Sequence, residues 1–260
     1  MLRTTYDLPA WVLSTCLRWQ GLGEGHPTFA EVAAWHGDDT AGARDAAARE
    51  ALATMDLFSG DLLSGGLSSG TGMAPDFQNA LLVLASPTVE LSFWANDQEG
   101  PYQVLVASAG ADAVQLTRIA EQVRLRPVHP ESLAEELLAA LPEATPARAQ
   151  AINARVSAYQ NLLTPDTEGA LASSGGPEAQ RLQTVLQLPR LHAAELHVAA
   201  RDRAGERRRA GPLILLDTEQ GRWLIARKST GAAGEEWISA APGGDRRIRA
   251  SVAELLTSVR

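Results

Sequence analysis

Lysine is almost missing from this chain: Lys228 is the only one among 23 basic residues, and arginine supplies the rest. Cysteine is as scarce. Cys16 stands alone, so no intrachain disulfide can form and a cysteine-based zinc site is excluded. Positive charge is in short supply overall, with 31 Asp and Glu against 23 Lys and Arg and a formal net charge of −8. Such a chain is a poor default partner for nucleic acid, whose phosphates call for a basic surface. No apolar run approaches the ~20 residues needed to span a bilayer. What is present is the composition of a globular protein: 260 residues, 45% hydrophobic and 21% charged, enough for a sizeable core in one large domain or two smaller ones.

Leu8 to Leu17 is apolar, and Leu13-Ser14-Thr15-Cys16 has the outline of a lipoprotein cleavage box. Pro9 interrupts the run, only Arg3 precedes it, and Thr15 is larger than the residue usually found before a modified cysteine. A secretory signal needs a basic start and about 7–15 uninterrupted apolar residues. The expectation is therefore an amphipathic first helix, Leu8 to Gln20, in a cytoplasmic protein.

The rest of the chain reads as the same plan run twice. In the first half, helices are expected at Ala41–Phe58 and Pro75–Ala85, the second stopped by Ser86-Pro87. Strands follow at Val89–Ala95, Tyr102–Ser108, Ala113–Ala120 and Val123–Val128, then a helix from Pro130 to Leu141. In the second half, helices at Pro146–Leu163 and Pro177–Leu188 lead to strands at Glu195–Asp202, Pro212–Asp217, Gly221–Lys228 and Glu236–Ala241. Asp217 to Gly221 forms the polar turn of a hairpin, and a closing helix spans Asp245–Val259. Ser59–Gly72 and Thr164–Gly176, rich in Gly, Ser and Pro, read as loops. The inferred fold is α+β: a quasi-twofold repeat of two helix–β-meander–helix halves, about 1–142 and 143–260, forming a central antiparallel sheet with helices packed on it.

Catalytic patterns do not hold up in context. Gly66-Leu67-Ser68-Ser69-Gly70 satisfies G-x-S-x-G, but a nucleophile elbow follows a buried strand, and Ser68 sits in a Ser/Gly stretch. A serine esterase using Ser68 is the weaker alternative. The five histidines are dispersed, and the closest pair, His192 and His197, falls on opposite faces of a continuous strand, so no metal site is expected. The neighbouring carboxylates Asp38-Asp39, Glu135-Glu136 and Glu235-Glu236 point apart on helix or strand and read as solvated charge. Asp217 ends a strand, where active-site acids often sit; beside Thr218 and Gly221, a turn-forming role is the stronger reading. Arg201 to Arg209 is the one basic cluster and straddles a hairpin tip. It reads as a solvated, edge-protecting hairpin or as a contact for an acidic protein surface. Six tryptophans outnumber the four phenylalanines and three tyrosines. Trp11, Trp19 and Trp35 read as core, while Trp94 and Trp223 are read either as core or as interface anchors on uncovered sheet faces.

These residues resemble the EspG family of ESX (type VII) secretion-associated proteins. Leu17…Gly21-Leu22-Gly23-Glu24-Gly25-His26-Pro27 followed by Gly37…Thr40 is similar to that family's opening. Leu191…Arg201-Asp202…Gly205…Leu215-Leu216-Asp217-Thr218…Gly221-Arg222-Trp223-Leu224, then Trp237 and Pro242, is similar to its second half. Trp223 stands where an aromatic such as tyrosine is usual. The resemblance implies a cytosolic, non-enzymatic chaperone of actinobacterial type, without cofactor. Its partner would be a helical secretion substrate, a PE–PPE heterodimer or a WXG-like protein, whose hydrophobic tip it would keep soluble. By position the expected contacts are Trp94, Arg201, Arg203, Leu213, Leu215, Trp223 and the helix Gln180–Leu188 with Val185; the loop Asn96–Tyr102 is expected to move on binding. A structural interaction module with another partner is the remaining alternative, and both monomer and homodimer are compatible with the sheet.

Overall fold

A computed structural model of the protein describes residues 2–23, 26, 38–58, 72–163, 176–230 and 234–260. The fold is α+β, with seven helices and a ten-stranded antiparallel sheet among the described residues. The chain divides into two compact units. One comprises Met1–Ser92, Tyr102–Leu141 and Ala199–Arg208; the other comprises Phe93–Pro101, Pro142–Val198 and Arg209–Arg260.

The first repeat runs β1 (Tyr6–Pro9), α1 (Ala10–Trp19), α2 (Asp38–Ala53), α3 (Pro75–Ala85), β2 (Val89–Asn96), β3 (Pro101–Ala109), β4 (Asp112–Ile119), β5 (Gln122–Pro127) and α4 (Leu133–Leu138). Its strands lie in the order β1-β5-β4-β3-β2. Period-two alternation turns Leu105, Ala107, Val114, Leu116, Val123 and Leu125 to one side. There they meet Val12, Leu13 and Leu17 of α1 and Phe77, Leu81 and Leu84 of α3. Each fully buried Val, Leu or Phe among them stabilises the unit by about 1.5–3 kcal/mol. α1 stops where the Leu22 N–H reaches back to the Leu17 carbonyl (3.0 Å) and Gly21 turns to φ +66°, a left-handed cap that glycine adopts without strain. Trp11 and Trp19 are half-buried rather than core: Arg44 and Arg49 of α2 stack over their rings at 5.4 and 5.2 Å.

The second repeat runs β6 (Ile152–Arg155), α5 (Val156–Leu163), α6 (Gly176–Leu186), β7 (His192–Arg201), β8 (Arg207–Thr218), β9 (Gly221–Thr230), β10 (Glu235–Pro242) and α7 (Asp245–Val259). Its strand order is β7-β8-β9-β10-β6. Leu216, Trp223, Ile225 and Ala240 pack with Leu182 and Val185 of α6 and with Ile152 and Ala154 of β6. Followed from their outer strands, β1-β5-β4-β3-β2 corresponds to β6-β10-β9-β8-β7, so the repeat is strand, helices, four-strand meander, helix.

The structure corrects several of the expected elements; β7 and β8 start at His192 and Arg207 rather than at Glu195 and Pro212. Tyr6–Pro9 is a strand paired on β5, and the first helix starts only at Ala10. α2 ends at Ala53, short of Phe58. The helix expected from Pro130 begins at Leu133. The long helix expected from Pro146 is broken: Ala147 and Arg148 hydrogen-bond to the Arg222 and Gln220 carbonyls, and Ile152–Arg155 pairs on β10. Ala, Arg and Gln are good helix formers, but propensity is a weak guide against tertiary context; burial of Ile152 and Ala154 on one face of β6 overrides it.

Candidate functional site

In the second unit, the β8–β9 turn is built on a buried ion pair. The Arg222 guanidinium donates from Nε to Asp217 Oδ1 and from Nη2 to Oδ2, both at 2.6 Å, and Nη2 also reaches the Pro142 carbonyl at 2.8 Å. His192 Nδ1 lies 3.4 Å from the same carboxylate. Burial pushes the Asp217 carboxyl up, but the Arg222 and His192 contacts outweigh it and leave it below its ordinary value of 3.8. The side chain that caps the turn is Thr218, whose hydroxyl accepts from the Gln220 N–H and donates to the Gly221 carbonyl. The turn-forming part expected of Asp217 thus falls to its neighbour, and Asp217 instead anchors Arg222. Gly221 has φ +106°, and a Cβ there would come within 2.7 Å of the Thr145 carbonyl oxygen. Only glycine lets the 145–147 segment pass so close.

The first unit holds the Arg-rich hairpin tip. Asp202 Oδ1 accepts from the Ala204 and Glu206 N–H groups at 2.9 and 3.0 Å, and Arg201 donates to the Gly205 carbonyl. Arg207 grips the buried Glu90 carboxylate, through Nε at 2.8 Å and through Nη2, with His26 Nε2 3.9 Å away. Arg208 lies 3.5 Å from Asp202, and Arg203 is exposed. The Arg207–Glu90 pair joins residues far apart in sequence, and no local pattern signals it.

The residues singled out as contacts occupy different settings. Trp94 is 43% exposed on β2. Leu213 and Leu215 are buried, on the face of β8 opposite Leu216. Trp223 is 2% exposed and shares a core with Val185, so the sheet face expected to leave it uncovered is covered by α6. Ser68 with its G-x-S-x-G pattern, Trp35 and His36 lie outside the described residues. Among the described residues no group of three or more His, Cys, Asp or Glu side chains could hold a metal ion. Burial pushes the Cys16 thiol up to about 12, which leaves it protonated and inert. No described helix is long and apolar enough to cross a membrane.

The EspG family model matches residues 10–254. The chain belongs to the EspG family. The EspG match starts at the first residue of α1 and ends within α7, so it takes in both repeats. None of the curated proteins compared matches the chain. Among solved structures it is similar to the Mycobacterium tuberculosis type VII secretion system chaperone EspG5, solved in complex with a PE25–PPE41 dimer. That likeness has a TM-score of 0.70 and covers 99% of this chain and 97% of the other, at 15% identity. At that identity the EspG fold is what the two share.

Proposed function

We propose that the chain is a non-enzymatic chaperone of a type VII (ESX) secretion system, acting in the cytoplasm as a single domain of two pseudo-repeats, about 1–142 and 143–260. The observation that carries this reading is EspG membership along residues 10–254, joined to a full-length fold shared with a chaperone solved on its PE–PPE dimer. The client would be a helical PE–PPE-type heterodimer or a WXG-like protein. Its apolar tip, left uncovered, self-associates, and a preformed surface that shields it keeps the client soluble. Trp94, Arg201 and Arg203 are the proposed direct contacts. Leu213, Leu215, Trp223 and Val185, being buried, would act by holding the shape of the surface.

Co-expression with the helical proteins encoded beside it tests the proposal. A complex of defined mass, with a client that precipitates when expressed alone, is the expected result. Clients that stay soluble and unbound in its presence would sink the chaperone reading and leave a shared fold.

A further inference from the structure

A recess of about 600 Å³ opens within the second unit between Pro146, Pro242 and the first turns of α7. We infer that it receives an acidic segment of a protein partner, whose carboxylates meet Arg246 and Arg247. The inference goes beyond the chaperone reading and holds whichever client the chain carries.

The charges of α7 run against its own dipole. The start of a helix favours acids and disfavours bases, yet Arg246, Arg247 and Arg249 follow Asp245 directly, and the last turn holds no base. The first repeat supplies an internal comparison. α4 holds the same place after its meander and carries Glu135 and Glu136 in its first turn, the sign the dipole prefers. The fold therefore does not demand arginines here. Nor do Arg246 and Arg247 gain an ion pair in return: both are exposed, and no described carboxylate pairs with either. A local preference broken with no structural compensation marks a surface kept for function. The backbone does not make the site, since the Arg247 and Ile248 N–H groups already meet the Gly244 carbonyl at 2.9 and 3.1 Å. The two guanidiniums do.

Charge complementarity names the occupant. Asp245 alone among the described lining residues carries a carboxylate, and the positive end of the helix dipole offsets it. Arg246 and Arg247 thus set the sign of the recess. A guanidinium pairs a carboxylate through two parallel N–H···O bonds, which makes arginine suited to reading an acidic side chain. Pro146, Pro242 and Ala250 give the recess an apolar wall for the peptide carrying it. That wall is held in place: Pro146 bridges to Arg222, the Gly243 N–H meets the Arg222 carbonyl at 2.8 Å, and a Cβ on Gly243 would come within 2.7 Å of Arg222 Cγ. A site ordered before binding loses less entropy on association. Two arginines fall short of the cluster of about four or more that a lipid surface calls for, and the net charge of −8 opposes nucleic acid.

Fluorescence anisotropy on the full chain provides the test. The probes are a labelled peptide of alternating glutamate and serine, its glutamine counterpart, inorganic phosphate as competitor, and phosphatidylserine vesicles by sedimentation. The chain's charge of −8 repels the glutamate peptide as a whole, so a preference for it can come only from a local basic site. At low salt the glutamate peptide is expected to bind at least about tenfold more tightly than the glutamine one, a margin that shrinks as salt screens it. Arg246→Gln with Arg247→Gln is expected to erase the margin with the melting temperature held or raised, since both arginines oppose the dipole. Equal binding of the two peptides overturns the inference. So does a margin that survives the double variant, which would belong to the Arg201–Arg209 hairpin, or a lowered melting temperature, which would show that the arginines serve the fold. Phosphate that displaces the peptide at equal ionic strength would assign the recess to a small anion, and vesicle binding lost in the double variant would assign it to a membrane; either overturns it as well. No secretion client enters this assay, so its failure and the failure of the chaperone reading are read separately.

Discussion

Asp217 and Arg222 carry a charge pair out of water, and such a pair is worth most when one partner is lost. Removing the carboxylate leaves Arg222 buried without counter-charge, a loss of about 3 kcal/mol or more. Asp217→Asn is therefore expected to lower the urea midpoint clearly at neutral pH. The pH dependence follows from the depressed carboxyl. Its stabilisation is fully present above the unfolded value, near 3.8, and is lost as pH falls through the lower folded value. Urea midpoints from pH 7 down to about pH 2 should show the gap between wild type and Asp217→Asn closing below about pH 4; a constant gap would contradict the assignment. Trp94 belongs to the opposite category. Exposed as it is, Trp94→Ala should leave the melting temperature within the scatter expected of a surface change, about ±0.5 kcal/mol. In the proposed complex it should weaken client binding by about tenfold or more, as anchor tryptophans do. Calorimetric titration with the co-purified client checks this, and an unchanged affinity removes Trp94 from the contact surface.

The elements differ in how much of their making is local. α3 and α7 take the bounds the sequence marks, Pro75–Ala85 and Asp245–Val259. Pro75 opens one, Ser86-Pro87 closes it, and Asp245 follows the glycine pair that opens the other. β1 and β6 have no such marks. Each has four residues, each runs straight into a helix, and each lies beside the last strand of its own meander. Their hydrogen bonds come from partners more than eighty positions away, so a reading of local periodicity absorbs them into the neighbouring helix. β6 is nonetheless well packed: Ile152 sits with Leu182 and Trp223 in one core. Ile152→Ala is expected to cost about 2–4 kcal/mol and to speed amide exchange in β10 before other strands. If exchange in β10 stays as slow as in wild type, β6 is not holding it.

At the scale of the whole molecule, the division into two units does not follow the chain simply. The boundary falls at Leu141–Pro142, but Phe93–Pro101 is counted with the second unit and Ala199–Arg208 with the first. These are the corresponding hairpin tips of the two repeats, and their charges differ in sign: Asp97 and Glu99 in one, Arg201 and Arg203 in the other. A repeat read only by its helices and strands would treat them as equals. The charge of the entire chain sets its colloidal behaviour. With a net charge of −8 and a pI near 5.2, self-repulsion vanishes near the pI. Light scattering from pH 4.5 to 7.5 should show association peaking near pH 5.2 and fading towards neutrality. A flat profile would mean that local patches outweigh net charge.

By itself the sequence determined the class of fold, the eight meander strands, the prolines and glycines that start and stop them, and membership in the EspG family. Each of those rests on chemistry within a short window: a period of two, a fixed proline φ, a left-handed glycine. Only the tertiary structure decided that Trp223 and Val185 lie in one core, that Glu90 is held by Arg207, and that Asp217 serves Arg222 rather than its own turn. It alone brought the turn after β2, the Pro142–Thr145 segment and the β8–β9 turn around one recess. The physical reason is the same in each case. Burial and charge pairing depend on which distant segment arrives opposite a side chain, and residue type and local spacing carry only a preference for that outcome.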